Sequence, residues 1–128
     1  MRFSFKPADL TLAKFVKSHR LPQEPGTPGL RLMGDADVPA VTSALNQHLT
    51  SNYKVHIEFT EDEVRHFLTP RENVVFSYLV LKDDGSVGDF ISFYALNSSV
   101  LQDPNHDKIF AAYAYYNFVE NNDEDRLK

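Results

Sequence analysis

Two short aromatic runs, separated by a polar step, constrain the fold of this chain more than any other feature. The first run covers residues 89–96 and the second covers residues 109–119, and Asn97, Ser98 and Ser99 follow the first run directly. Short apolar runs bounded by turn-forming residues are typical of strands that are buried on at least one face. The simplest interpretation is a pair of neighbouring core strands, although the small polar step also leaves room for a backbone to approach a ligand.

Amphipathic patterns predict two helices upstream of these runs. Apolar residues recur at helical spacing over residues 37–49, so we expect a helix there. Thr60 and Glu63 match a capping box, which predicts a second helix from residue 61 to about residue 68. Between the helices, apolar and polar residues alternate over part of residues 50–59, which leaves a short strand and an extended loop open as alternatives.

The remaining patterns predict an antiparallel meander and complete the domain organisation. The predicted strands cover residues 30–33, 74–81, 87–96 and 109–119. We expect a turn at residues 83–85 and a ten-residue loop over residues 97–106. The fold class is therefore α+β, a mixed or antiparallel sheet with flanking helices. Residues 1–29 are predicted to form a helix and a linker, residues 30–119 the domain, and residues 120–128 an acidic, disordered tail.

Composition excludes several classes of function. The 128 residues are 42% hydrophobic and 24% charged, which is typical of one globular domain. The absence of cysteine excludes disulfides, thiolate nucleophiles and cysteine-bound zinc. A net charge of -5 argues against a general nucleic-acid-binding surface. No apolar run approaches the roughly 18 residues of a membrane span.

The sequence shows no motif for catalysis or metal binding. Ser98 and Ser99 lack the flanking glycines of a nucleophile elbow. The five histidines lack the spacing of a zinc-binding helix, and the five glycines do not form a phosphate-binding pattern. We therefore predict no catalytic residue and no metal site within this segment.

A series of short motifs occurs in one fixed order along the chain. The motifs are residues 20–22, 29–33, 37–39, 63–64, 66–70 with 72–74, 89–94, 98–99, and 111–113 with 116–117. In this order and spacing they resemble the N-myristoyltransferase family, over about residues 10–118. The similarity is to the first part of the C-terminal half of that enzyme. Two departures fall in this region, since Phe67 stands where the family commonly has tryptophan and Asn97 where it has proline.

The resemblance implies an incomplete GNAT-like fold. N-myristoyltransferases consist of two halves that each resemble an acyl-CoA N-acyltransferase, and the predicted order here matches the opening of one half. The helix and strands that usually follow are missing, so the strand over residues 109–119 should leave an exposed edge. We therefore expect either the remainder of the enzyme or a second copy of the chain as a partner.

The resemblance also implies a function. The family transfers a tetradecanoyl group from its CoA thioester to the N-terminal glycine amine of proteins, and it is expected in the cytoplasm. Its acyl-CoA site and oxyanion hole belong to the N-terminal half, and its terminal carboxylate takes the amine proton. This segment should therefore bind no cofactor, although myristoyl-CoA is the acyl donor of the full enzyme, and the isolated chain should be inactive.

Four residues are implied to bind the peptide substrate. Ser98 and Tyr113 match family positions that contact the peptide, and Tyr94 and Asn117 are weaker candidates nearby. Two alternatives remain open at this point. One is a non-catalytic module of related fold that binds a peptide or a protein, and the other is an inactive truncated fragment.

Overall fold

The computed structural model describes residues 11–101, 104–105 and 107–119. The predicted tail over residues 120–128 and the first ten residues lie outside this range. The elements, in chain order, are α1 (Leu12–Ser18), β1 (Arg31–Leu32), a 3₁₀ turn (Asp35–Asp37), α2 (Val38–Asn52), α3 (Glu61–Leu68), β2 (Val75–Leu81), β3 (Val87–Ser99) and β4 (Lys108–Phe118). The predicted α+β class is confirmed.

The four strands form one antiparallel sheet in the order β1-β2-β3-β4. The predicted turn joins β2 to β3, and Gly85 adopts a φ of 82° there, which favours glycine. The Gly85 N–H donates to the Lys82 carbonyl over 3.0 Å. Among the described strands, β4 is at one edge of the sheet, as the sequence predicted.

The hydrophobic core lies between α2, α3 and one face of the sheet, which we call the helical face. Its fully buried members include Val38, Val41, Leu45, Val64, Leu68, Leu79 and Phe90. Leu79 of β2 lies opposite Phe90 of β3, so both side chains point to this face. The burial follows from the helical spacing of the apolar residues in α2, which places one stripe against the sheet.

The opposite side of the sheet, which we call the open face, is also apolar. Phe76 and Phe93 stack at 5.3 Å between ring centroids, and Tyr78 lies 6.2 Å from Phe93. Leu32 is 49% exposed and Ile91 is 43% exposed on this face. The described part of the chain therefore leaves a continuous aromatic and aliphatic surface in contact with solvent.

The α2 helix continues to Asn52, three residues past the prediction, and an irregular segment then leads to Phe59. Of the two alternatives for this segment, the structure contains the extended loop. The Asn46 side chain holds the loop, since its Nδ2 donates to the Phe59 carbonyl and its Oδ1 accepts from the Phe59 N–H, both over 2.8 Å. These two bonds occupy the backbone groups that a strand would use for pairing.

The predicted capping box begins α3. The Glu63 N–H donates to Thr60 Oγ1 over 3.3 Å, and the Thr60 N–H donates to Glu63 Oε2 over 2.8 Å. The Thr60 N–H bond and the Thr60 hydroxyl, which donates to Glu63 Oε2 over 2.9 Å, lower the pKa of the Glu63 carboxyl. The acidic residues of this turn therefore have a structural use at the helix N-terminus.

The predicted loop over residues 97–106 is wrong at its start. The β3 strand runs through Ser99, where the backbone still pairs with Lys108, and Ser98 pairs with Ile109. The polar step is part of the strand because this end of the sheet is exposed, where polar side chains cost no desolvation. Ser98 is therefore held by a regular ladder rather than by a loop.

Candidate functional site

Three tyrosines form a cluster on the helical face, beyond the part that α2 and α3 cover. Tyr94 of β3 and Tyr113 of β4 are direct cross-strand neighbours, with ring centroids 5.7 Å apart and ring planes 25° apart. Tyr115 meets Tyr94 edge to face at 5.6 Å. Tyr113 is 44% exposed and Tyr115 is 39% exposed, so the tyrosine cluster presents both ring surface and hydroxyl groups to solvent.

Ser98 lies on the same face as the tyrosine cluster, four residues after Tyr94 on β3. At about 3.3 Å per residue, the distance along the strand from Tyr94 to Ser98 is about 13 Å. The Ser98 side chain is exposed and can donate or accept a hydrogen bond. The strip from Tyr113 to Ser98 is therefore about as long as four residues of an extended peptide.

The fourth candidate, Asn117, lies apart from the other three. It pairs with Ile91 at the opposite end of the β3–β4 ladder from Ser98. Its Oδ1 accepts a hydrogen bond from the Ser92 backbone N–H over 3.0 Å. The structure therefore brings Tyr94, Tyr113 and Ser98 onto one surface and places Asn117 in the ladder that supports it.

A β-bulge separates these two parts of the ladder, with a register shift between Ile91 and Phe93. Ser92 lies at the bulge and is fully buried. Its Oγ donates to the Tyr116 carbonyl over 2.8 Å and is within 2.9 Å of the Tyr116 N–H, from which it accepts. One hydroxyl thus satisfies both backbone groups of the extra residue.

A groove of about 510 Å³ lies next to the tyrosine cluster, between the end of α2, the following loop and β4. Tyr115 contributes to both the groove and the cluster. His48 also lines the groove, and its ring stacks on Phe118 with ring centroids 5.1 Å apart. Burial lowers the pKa of the His48 imidazole. His56 is bound through both ring nitrogens, to Thr50 Oγ1 at 3.1 Å and to the Tyr53 carbonyl at 3.0 Å.

This arrangement is suited to binding. Over the described ranges, no group of three or more histidine or acidic residues could hold a metal ion. No helix within those ranges is long and apolar enough to cross a membrane. Exposed tyrosine rings, a serine hydroxyl and strand backbone are groups that recognise an extended peptide through stacking and hydrogen bonds.

Sequence reasoning missed the bulge and the role of Ser92 in it. The tyrosine spacing alone does not indicate the bulge, because Tyr115 and Tyr116 are simply adjacent in the sequence. Strict alternation would place Tyr115 and Tyr116 on opposite faces. The structure places both on the helical face, which requires an extra residue in the strand.

Comparison with known sequences shows which proteins this chain resembles. The family model described as "Myristoyl-CoA:protein N-myristoyltransferase, C-terminal domain" matches residues 1–128. Glycylpeptide N-tetradecanoyltransferase 1 of Arabidopsis thaliana is 47% identical over 116 residues, which are 90% of this chain and 26% of that protein. Glycylpeptide N-tetradecanoyltransferase 2 of Danio rerio is 42% identical over 117 residues, which are 91% of this chain and 24% of that protein.

Solved structures agree with the sequence matches. A crystal structure of Saccharomyces cerevisiae N-myristoyltransferase with bound myristoyl-CoA and inhibitors superposes with a TM-score of 0.73 at 29% identity, and covers 91% of this chain and 28% of that chain. The predicted GNAT-like fold is confirmed by this match. The chain spans about a quarter of the length of the curated relatives it matches. Because the family model matches its whole length, this chain belongs to the N-myristoyltransferase family, with the C-terminal domain as its counterpart.

Proposed function

We propose that this chain acts as part of a cytoplasmic protein N-myristoyltransferase. In that reaction a tetradecanoyl group passes from its CoA thioester to the N-terminal glycine amine of a protein. The family model and the relatives named glycylpeptide N-tetradecanoyltransferase support this proposal. Since the chain spans about a quarter of those relatives, the proposal concerns a contribution to the enzyme and not a complete catalyst.

The contribution we propose is one wall of the peptide-binding side, made by Ser98, Tyr113 and Tyr94, with Asn117 in a supporting position. The supporting observation is that exposed Tyr113 and Ser98 and half-buried Tyr94 lie on one face of two paired strands. Tyr113 is 44% exposed, which argues against a purely structural core tyrosine. An extended peptide laid along this strip would stack on the rings and hydrogen-bond to the hydroxyls.

The remaining chemistry is proposed to come from outside this segment. The acyl donor is myristoyl-CoA, and one of the solved relatives was crystallised with it. The partner that completes the site is the remainder of the enzyme, for which the open face and the β4 edge provide apolar contact area.

The experiment that tests the peptide-binding role is a comparison of two conservative variants in a full-length enzyme that contains this segment. Ser98→Ala and Tyr113→Phe each remove one hydroxyl, and the loss of one hydrogen bond costs about 0.5–1.5 kcal/mol. We expect a several-fold rise in the peptide KM and an unchanged acyl-CoA KM. An unchanged peptide KM in both variants would contradict the proposal.

A non-catalytic peptide-binding or protein-binding module is the second candidate, and the open edge of β4 is the observation that favours it. Eleven residues without proline offer unpaired backbone groups to an added strand. The coding sequence on either side of this segment distinguishes the two. An upstream acyl-CoA-binding half and a downstream apolar C-terminus support the enzyme, and the absence of both supports the module or an inactive fragment.

A further inference from the structure

We infer that Ser92 and Asn117 are positioning residues that set the register of the tyrosine cluster through the bulge between β3 and β4. This inference rests on the proposed peptide-binding function, which it deepens. Neither side chain is placed on the binding strip itself. Both act on the peptide through the orientation of Tyr113 and Tyr115 relative to Tyr94.

The pairing on the two sides of the bulge carries the inference. On the core side, Phe90 lies opposite Phe118, and both side chains are buried. If that register continued without interruption, Ala114 would lie opposite Tyr94. Tyr113 would then pair with Ala95 and point to the open face, since a shift of one residue exchanges the two faces of a strand.

The bulge adds one residue to β4, so that Phe118 and Tyr113 can both face the helices. Beyond it Tyr94 pairs with Tyr113, so both rings return to the helical face. A single ladder can therefore keep Phe118 in the core and Tyr113 on the same face as Tyr94 only if the extra residue lies between Tyr113 and Phe118.

Ser92 and Asn117 fix that position with three hydrogen bonds. Ser92 Oγ bonds to both the carbonyl and the N–H of Tyr116, at 2.8 and 2.9 Å. Asn117 Oδ1 accepts from the Ser92 N–H at 3.0 Å. Bulges leave ladder groups unpaired, and buried groups of this kind are costly unless a side chain satisfies them. These two side chains supply the missing partners.

Ser77 provides a matched control within the same sheet. It lies directly opposite Ser92 on β2 and is equally buried, with both side chains 0% exposed. Within the described part of the chain, its Oγ has no hydrogen-bond partner. Ser77→Ala and Ser92→Ala therefore delete the same atom at the same depth, but only the second deletion removes bonds to the bulge.

The first arm of the test uses the 128-residue chain and near-ultraviolet circular dichroism. The chain has six tyrosines and no tryptophan, so the band near 280 nm reports tyrosine packing. We expect Ser92→Ala and Asn117→Ala to reduce this band clearly, whereas Ser77→Ala leaves it unchanged. Asn117→Asp keeps the acceptor oxygen and should restore the band.

The second arm uses a full-length enzyme that contains this segment. We expect Ser92→Ala and Asn117→Ala to raise the peptide KM several-fold with an unchanged acyl-CoA KM, and Asn117→Asp to restore most of the affinity. A structural defect alone would affect both substrates, so an equal rise in the two KM values overturns the inference. The same holds if Ser92→Ala and Asn117→Ala behave like Ser77→Ala in both arms.

The variants distinguish the positioning role of Ser92 and Asn117 from the proposed peptide-binding role of Ser98 and Tyr113. If Ser98→Ala and Tyr113→Phe raise the peptide KM but the bulge variants do not, the peptide-binding role stands and the positioning role fails. If the bulge variants change the tyrosine band while no variant affects the peptide KM, the peptide-binding role itself is wrong. If Ser92→Ala does not fold, the comparison of Asn117→Ala with Asn117→Asp decides the result.

Discussion

Tyr94 and Tyr113 lie directly opposite each other on β3 and β4, with ring centroids 5.7 Å apart, on the face that carries the core. The pair continues the core outward, but Tyr113 remains 44% exposed. A ring that is stacked on one side and exposed on the other is held in position and still accessible to a ligand. The relationship gives Tyr113 two separable properties, ring packing and hydrogen bonding, which different substitutions remove.

Substitution at Tyr113 should separate these two properties in stability measurements on the chain. Tyr113→Phe keeps the stacked ring and should change the free energy of unfolding by less than about 0.5 kcal/mol. Tyr113→Ala also loses the aromatic pair and should cost about 0.5–1.5 kcal/mol beyond the lost burial. Urea denaturation measures both values. If Tyr113→Phe lowers the free energy of unfolding as much as Tyr113→Ala, the hydroxyl has a structural partner. The interpretation of Tyr113 as an exposed peptide-binding residue would then be wrong.

The elements that the sequence predicted well are those in which local chemistry and tertiary packing agree. The capping box before α3 needs only Thr60, Glu63 and the backbone between them, so it forms where the motif occurs. The stripe of α2 likewise has one way to face the sheet. Its extension to Asn52 was not predicted because the last turn carries polar residues that are as common in loops.

The polar end of β3 and the bulge could not be predicted in the same way. Ser98 has a loop-like side chain, and only the pairing with Ile109 on another strand makes it part of the sheet. The role of Ser92 depends on its bonds to Tyr116, 24 residues further along the chain, and so on a strand register that no local pattern specifies. The family resemblance pointed to Ser98 and Tyr113 as peptide-binding residues. It did not indicate which residues fix their positions in the sheet.

The isolated 128-residue chain should show no acyltransferase activity. Positioning and oxyanion stabilisation supply much of the barrier reduction in acyl transfer, and both are proposed to come from elsewhere in the enzyme. The measurement is transfer of a radiolabelled tetradecanoyl group from its CoA thioester to a glycine-initiated peptide. A full-length N-myristoyltransferase under the same conditions is the positive control. Transfer by the purified chain above the no-protein blank would refute the prediction.

The purified chain should also associate with itself. The open face exposes Leu32 and Ile91, and β4 presents a long strand edge. An exposed apolar surface and an unpaired strand edge both favour association. We expect a weight-average mass that rises with concentration in sedimentation experiments at micromolar concentrations. Ile91→Lys places a charge on the open face and should reduce the association. A compact monomer at high micromolar concentration would argue against the prediction.

Removal of the α3 cap should destabilise the chain measurably. Thr60→Ala deletes the hydroxyl that accepts from the Glu63 N–H, and a lost N-cap typically costs about 0.5–2 kcal/mol. Thr60→Ser keeps the hydroxyl and is the matched control, with an expected cost below that of alanine. Thermal and urea denaturation give the values. Equal stability of the alanine and serine variants would mean that the cap contributes nothing.

The stability of the chain should fall as the pH is lowered from about 7.5 to about 5, with His48 as a cause. Burial against Phe118 lowers the pKa of this imidazole in the folded chain, whereas the unfolded chain has the ordinary value of about 6.5. The unfolded state therefore binds more protons in this range, and the free energy of unfolding must rise with pH.

Replacing His48 by glutamine should flatten that pH dependence, because the residue no longer titrates. His66→Gln changes an exposed histidine on α3 and leaves His48 in place, so it should retain the slope. Urea denaturation at pH 5, 6, 7 and 7.5 measures the slope for each protein. Carboxylates with lowered pKa values, such as that of Asp37, stay ionised over this range and contribute little to the difference. If His48→Gln keeps the full slope, another group is responsible and the stacking of His48 on Phe118 does not control the acid sensitivity of the fold.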